Sequence, residues 1–211
     1  MSLLVKARRD GRDIVEVTPQ SAGWSYVGFS AHRLAPGERL DLAASGDELC
    51  LVVLTGTVSV DAQGKRWRDI GRRTSVFSGE APYAVYVPAQ ESAHVTATTG
   101  VEIGVARAPG KPGRDARLIE PSTMKQTTRG EGLNTRYVCD ILPQTEAADH
   151  LLVVEVRTPA GHSSSYPPHK HDTDSLPEES SLEETYYHRL SPAQGFAFQR
   201  VYTDDRSLDE S

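Results

Sequence analysis

The chain has little of what marks a secreted, membrane-spanning or nucleic-acid-binding protein. Its 211 residues include only two cysteines, Cys50 and Cys139, each inside a stretch that reads as a strand. A pair so placed reads as two small buried side chains in a reducing compartment, rather than as a disulfide framework or a nucleophile. The longest apolar runs, such as 49–54, have the length of a strand and fall far short of a bilayer. The opening residues, Met1-Ser-Leu-Leu-Val-Lys6, contain no extended apolar segment of the secretory kind. Lysine and arginine form no dense run and the net charge is -6, which argues against nucleic acid as a partner. An apolar period of 3.6 sustained over about ten residues is also missing, so helices are expected to be few and short. The expectation is a cytoplasmic protein with neither a membrane nor a nucleic acid as its partner.

Strand-forming residues are abundant. Residues 49–60 read Leu-Cys-Leu-Val-Val-Leu-Thr-Gly-Thr-Val-Ser-Val, a β-branched run broken once, at Gly56. Glycine takes backbone angles that other residues avoid, so two strands meeting at a tight bend are expected there. Further strands are expected at 83–87, 94–98 and 101–106, the first two flanking a Pro88-Ala89-Gln90 turn. A Pro/Gly-rich stretch, Pro109-Gly-Lys-Pro-Gly-Arg114, has linker composition. Strand signals resume at 135–142, 151–157, 183–189 and 196–202. Two strand-rich halves without βαβ alternation predict an all-β chain of two antiparallel barrels or jelly rolls. The expected division is a first barrel at 1–108, a linker at 109–116 and a second barrel at 117–211. Fewer strand signals follow the linker than precede it, so the second barrel is expected to be incomplete, the chain cut short and its open edge prone to self-association.

Five of the seven histidines, His150, His162, His169, His171 and His188, lie in the second half. The informative cluster is Tyr166-Pro-Pro-His169-Lys170-His171-Asp172, followed by Leu182-Glu183-Glu184-Thr185-Tyr186-Tyr187-His188. Residues two apart on a strand share a face, so His169 and His171 can point the same way. Two imidazoles and a carboxylate form an ordinary ligand set for a divalent transition metal with open positions. Strand phase favours Glu184 over Glu183 as the carboxylate, because Glu184 shares its face with Tyr186 and His188. Those two residues become candidates for proton transfer. Arg200, in the alternating run Phe196-Ala-Phe-Gln-Arg-Val-Tyr202, is a candidate for holding a substrate carboxylate, with Lys170 as a second. A pair of surface histidines before an acidic loop, packed tyrosines and a half-exposed arginine remain the plainer readings. The first half has no comparable cluster: Asp47, Glu48, Glu91, His32 and His94 are scattered, so it reads as a scaffold without metal.

Gly23-Trp-Ser-Tyr-Val-Gly-Phe29, the stretch Glu48-Leu-Cys-Leu-Val-Val-Leu-Thr-Gly56 and above all the run from Tyr166 to Asp205 resemble the bacterial 5-deoxyglucuronate isomerases of inositol breakdown. These are bicupins of the KduI/IolB type, a family that includes the 4-deoxy-L-threo-5-hexosulose-uronate ketol-isomerases. The resemblance implies a metal in the second barrel, zinc first and manganese or iron as alternatives, held by His169, His171 and Glu184. It also implies a fourth, histidine ligand for which this sequence supplies no residue. A small sugar acid is the implied substrate, and the open barrel edge makes a homo-oligomer the expected assembly. Twelve residues separate His171 from Glu184, many more than in generic cupin motifs, and the acidic stretch 172–181 between them reads as a lid or a solvated loop. A cupin dioxygenase using iron, the related ketol-isomerase and a non-catalytic sugar-acid binder stay open as alternatives.

Overall fold

The computed structural model describes residues 3–166 and 169–211. The first half contains β1 (Asp13–Val17), β2 (Gly28–Leu34), β3 (Arg39–Leu42), β4 (Asp47–Thr55), β5 (Val58–Ala62), β6 (Lys65–Ile70), β7 (Tyr83–Val87), β8 (Ala93–Ala97) and β9 (Val101–Pro109). The second brings β10 (Arg117–Ile119), β11 (Lys125–Arg129), β12 (Arg136–Leu142), β13 (Val153–Arg157), β14 (Val201–Tyr202) and β15 (Asp209–Glu210). Among the described residues, helical structure is confined to one four-residue helix, α1 (Pro19–Ala22), and two short 3-10 turns. All strand pairs between these elements are antiparallel. The chain is thus all-β, and among the described residues no helix is long and apolar enough to cross a membrane.

A six-stranded sheet, in the order β1-β2-β9-β4-β7-β10, faces a four-stranded sheet, β3-β8-β5-β6. The bend between β4 and β5 carries the chain from one sheet to the other. Gly56 makes that bend at φ +84°, and a Cβ there would lie 2.3 Å from the carbonyl oxygen of Gly100. Gln90, in the turn after β7, also adopts a positive φ, and its N–H reaches the Ser45 carbonyl.

The uninterrupted apolar run of β4 has a physical reason. Leu49, Leu51 and Val53 point into the core between the two sheets, beside Val58, Val85, Val95 and Ile103. Cys50, Val52 and Leu54 point the other way, into a second core with Tyr86, Ile119, Met124, Cys139, Ile141, Leu142 and Leu151. The large sheet is covered on both faces, and its central strand is apolar at every position from 49 to 54, as such burial requires. Both cysteines lie in this second core, and burial pushes their thiols up to about 12 for Cys50 and about 11 for Cys139. The inert, buried reading of both follows.

Two differences from the sequence expectation concern the second half. β10, at 117–119, adds to the edge of the first half's large sheet by pairing with β7. The preceding Pro/Gly-rich segment is packed rather than loose: Ala116 sits in the first core and Asp149 binds both Lys111 N–H and the Arg114 guanidinium. The strands expected at 183–189 and 196–202 shrink to the two-residue β14. Strand propensity alone does not make a strand; a ladder needs a partner, and none among the described residues pairs with 183–189.

Buried polar groups join the halves. Glu48, fully buried on β4, accepts the Tyr86 hydroxyl at 2.7 Å and the N–H groups of Asp149, His150 and Leu151 at 2.8, 2.6 and 2.8 Å. Arg73, 3% exposed, donates to the carbonyls of Leu54 and Glu80 and makes a two-pronged pair with Glu155 on β13, at 2.8 and 2.6 Å. Glu102, on β9, accepts the Tyr187 hydroxyl at 2.9 Å and the Arg189 guanidinium.

Replacing Glu48 by alanine leaves one hydroxyl and three N–H groups without their acceptor, each costing about 1–3 kcal/mol when buried. Glu48→Ala is therefore expected to lose at least about 3 kcal/mol in urea unfolding, a fall of roughly 6–12 °C in melting temperature for a chain of this size. A variant that melts like the parent would show that other contacts hold the halves together.

Candidate metal centre

His169, His171 and Glu184 converge, although neither histidine lies in a paired strand. Their ligand atoms all fall within 4.8 Å of one another, and they are the one such group of three among the described residues. His169 Nε2 and His171 Nε2 are 3.1 Å apart, and Glu184 Oε1 lies 3.9 and 3.5 Å from them. Metal–ligand bonds of about 2.0–2.2 Å place neighbouring ligand atoms roughly 3.0–3.6 Å apart, so this spacing fits a first-row divalent ion with small adjustment at Glu184. The histidine rings are nearly perpendicular, with centroids 4.8 Å apart.

The surroundings of the triad suit a ligand set. His171 Nδ1 lies 3.0 Å from the Ser180 carbonyl, which only accepts, so Nδ1 carries the proton and Nε2 offers its lone pair. Glu184 turns Oε1 toward the imidazoles and takes a 2.8 Å hydrogen bond from the Tyr186 hydroxyl on Oε2. The chemistry fits a divalent metal with positions left open for a substrate. Pro167 and Pro168, in the motif before His169, lie outside the described residues.

The acidic stretch 172–181 folds back on itself. The Glu179 carboxylate accepts the N–H groups of Asp172 and Thr173 at 2.8 and 3.0 Å, and these bonds hold it below the usual carboxylate range. Asp174 accepts Ser181 N–H at 2.8 Å. The loop thereby brings Ser180 back to His171.

Residues 183–189 keep a two-residue alternation without a ladder. Glu184, Tyr186 and His188 are exposed, whereas Glu183, Thr185 and Tyr187 are partly buried. On the inner side, the Glu183 carboxylate accepts three successive N–H groups, from Ser25, Tyr26 and Val27, at 2.8, 2.8 and 3.0 Å. Its partial burial works against ionisation, but those backbone bonds outweigh it and the group titrates below its ordinary value. The cradle has a local cause: Thr18 caps α1, Gly23 ends it at φ 72°, and the next residues turn their N–H groups outward. Tyr187 packs on Phe29, with ring centroids 5.4 Å apart.

The structure brings four of the six sequence-predicted site residues into one connected set: His169, His171, Glu184 and Tyr186. His188 joins by stacking on Tyr186, with centroids 6.0 Å apart and planes 12° off parallel, and its Nε2 lies 3.3 Å from Gln199 Oε1. Arg200 stands apart, its Nε and Nη2 donating to Asp209 at 2.7 and 2.6 Å across the β14–β15 hairpin. Lys170 sits 3.5 Å from Glu179. His32 and His94 form surface pairs with Asp13 and Asp41, at 2.7 and 2.5 Å. Sequence reasoning passed over Glu183 because it followed the outward face; the inward face of the same alternation carried the signal.

Desolvation of its hydroxyl end, and then the bond to Glu184, push the Tyr186 phenol well above its ordinary value although half of the side chain is exposed. At neutral pH Tyr186 is therefore a proton donor to Glu184. In a spectrophotometric titration, Tyr186→Phe is expected to remove one ionisation from above the ordinary tyrosine range; loss of an ordinary ionisation instead would mean that the phenol and Glu184 are not bonded.

Comparison with known proteins bears on the chain as a whole. A 5-deoxy-glucuronate isomerase of Geobacillus kaustophilus strain HTA426 is 53% identical over 199 residues, 94% of this chain and 72% of that protein. One from Bacillus subtilis strain 168 is 43% identical over 197 residues, 93% of this chain and 73% of that protein. The crystal structure of an IolB-like protein from Salmonella typhimurium LT2, 48% identical, superimposes with a TM-score of 0.96 over 100% of this chain and 80% of its own. Residues 3–211 match the KduI/IolB family, and the chain belongs to it.

Proposed function

We propose that this chain is a metal-dependent aldose–ketose isomerase that converts 5-deoxy-D-glucuronate to 5-dehydro-2-deoxy-D-gluconate, a step of inositol breakdown in the cytoplasm. The observation that carries the reading is the convergence of His169, His171 and Glu184 beside Tyr186 and His188, in a chain 53% identical to a named isomerase of that substrate. Two imidazoles and one carboxylate suit zinc, with manganese or iron as alternatives. When bound, the metal would polarise the substrate carbonyl and its neighbouring hydroxyl and so stabilise the developing enediolate charge.

The remaining work falls to side chains. The reaction takes a proton from the carbon beside the aldehyde and returns one to the aldehyde carbon, while the hydroxyl proton passes to the former carbonyl oxygen. His188, donating through Nε2 to Gln199, keeps its lone pair on Nδ1 and serves as the base in this reading. Tyr186, kept protonated by desolvation of its hydroxyl and by Glu184, serves as the donor to oxygen. Ser180 holds His171 in the tautomer that offers Nε2. Arg200 is available to the substrate carboxylate only by releasing Asp209.

A proton NMR time course with 5-deoxyglucuronate and added zinc or manganese tests the proposal. Metal-dependent loss of the aldehyde signal is expected, abolished by EDTA and, together with metal retention, by His169→Ala. A His169→Ala protein that retains its metal and its turnover would remove the assignment.

A further inference from the structure

We propose that Glu183 is a positioning residue through which the N-terminal half sets the Glu184 carboxylate at the metal centre, an inference that rests on the metal site proposed above. The segment that carries Glu184 has no strand partner among the described residues, so no ladder of backbone hydrogen bonds fixes its register. Side chains on its inner face take that role. The nearest of them to the ligand is its immediate neighbour, and that neighbour is gripped by three consecutive backbone N–H groups of the first half.

Three N–H groups converging on one carboxylate form an anion nest, and both carboxylate oxygens are used: Ser25 reaches Oε1, while Tyr26 and Val27 reach Oε2. This demand is specific to an acid. Glutamine has the same shape but only one accepting oxygen, and its NH2 group would face an N–H donor. At the far end of the segment, Glu102 receives Tyr187 and Arg189, so the inner face is fastened at both ends. Between those anchors the outer face presents Glu184, Tyr186 and His188. Strand geometry puts Glu183 and Glu184 on opposite sides of one backbone, so movement of the first displaces the second. Ligand sites tolerate displacements of only about 0.5 Å, so a loosened cradle is felt first at the metal.

The role differs from a contribution to stability. The cradle lies on an exposed turn, away from both cores. Its loss is expected to leave the melting of the barrel nearly unchanged while weakening the metal site.

The test uses cobalt(II), titrated into the whole chain and followed by its visible absorption. His169→Ala identifies the specific site. Glu183→Gln is expected to bind cobalt about 10–100-fold more weakly, the range seen when a group supporting a ligand is removed, and to alter the visible band while its melting curve stays near the parent's. Glu102→Gln, which loosens the other end, is expected to weaken binding less. Parent-like affinity and spectrum in a folded Glu183→Gln would overturn the positioning role, as would an equal loss in Glu102→Gln. If Glu183→Gln does not fold, Glu183→Asp decides: its shorter reach weakens cobalt binding if the proposal holds, and unchanged binding overturns it. Absence of any His169-dependent cobalt binding in the parent would instead remove the metal site itself.

Discussion

Glu48 accepts four hydrogen bonds while fully buried, and three of them come from a segment a hundred residues further along the chain. A buried acceptor of this kind is unforgiving, because every donor it serves loses its partner at once when it is removed. It sits on β4, the strand whose two faces belong to two different cores. Glu48 thus fastens 149–151 to the strand around which both cores are built. From that anchor β13 follows, with Glu155 meeting Arg73, and the chain then runs on to the segments that carry His169, His171 and Glu184.

The same logic recurs closer to the chemistry. The first half holds no group of three metal-competent side chains among the described residues, yet it supplies acceptors and donors that hold the segment 183–189. Glu102 receives Tyr187 and Arg189; the turn at 25–27 receives Glu183. The half without a metal cluster acts as a mould. Its own sheets are held by continuous ladders, and a segment without a ladder takes its shape from them.

Much of this was legible in the residues. β-branched runs, a lone Gly56 and the lack of a helical period were enough for an antiparallel all-β chain. The unbroken run 49–54 marked a strand, but the reason for its continuity, burial on both faces, needed the second core to be seen. His169 and His171 stood out because their chemistry is rare and they lie two apart, and Glu184 because it shares a face with Tyr186 and His188. The clamps stayed hidden for the opposite reason. Glu48, Glu102 and Glu183 are common acids with no motif, and their partners are mostly backbone N–H groups or residues more than eighty positions away. Arg200 looked like a substrate clamp because its neighbours alternate well; Asp209, nine residues on, occupies its fork in a way no alternation reveals. The strands expected at 183–189 and 196–202 show that propensity is local while pairing is not.

The double-faced large sheet also bears on how the molecule comes to be made. The core between the two sheets is built almost wholly from residues before 106, Ala116 being the exception among its buried members. The second core has no such independence: Cys139, Ile141, Leu142 and Leu151 are covered by Cys50, Val52, Ala84 and Tyr86. During synthesis the amino-terminal sandwich can therefore close first, and its outer sheet face then waits, greasy and exposed, as the template on which the rest condenses. Until β12 arrives, Cys50, Val52, Ala84 and Tyr86 on that face lack the side chains that cover them in the finished fold.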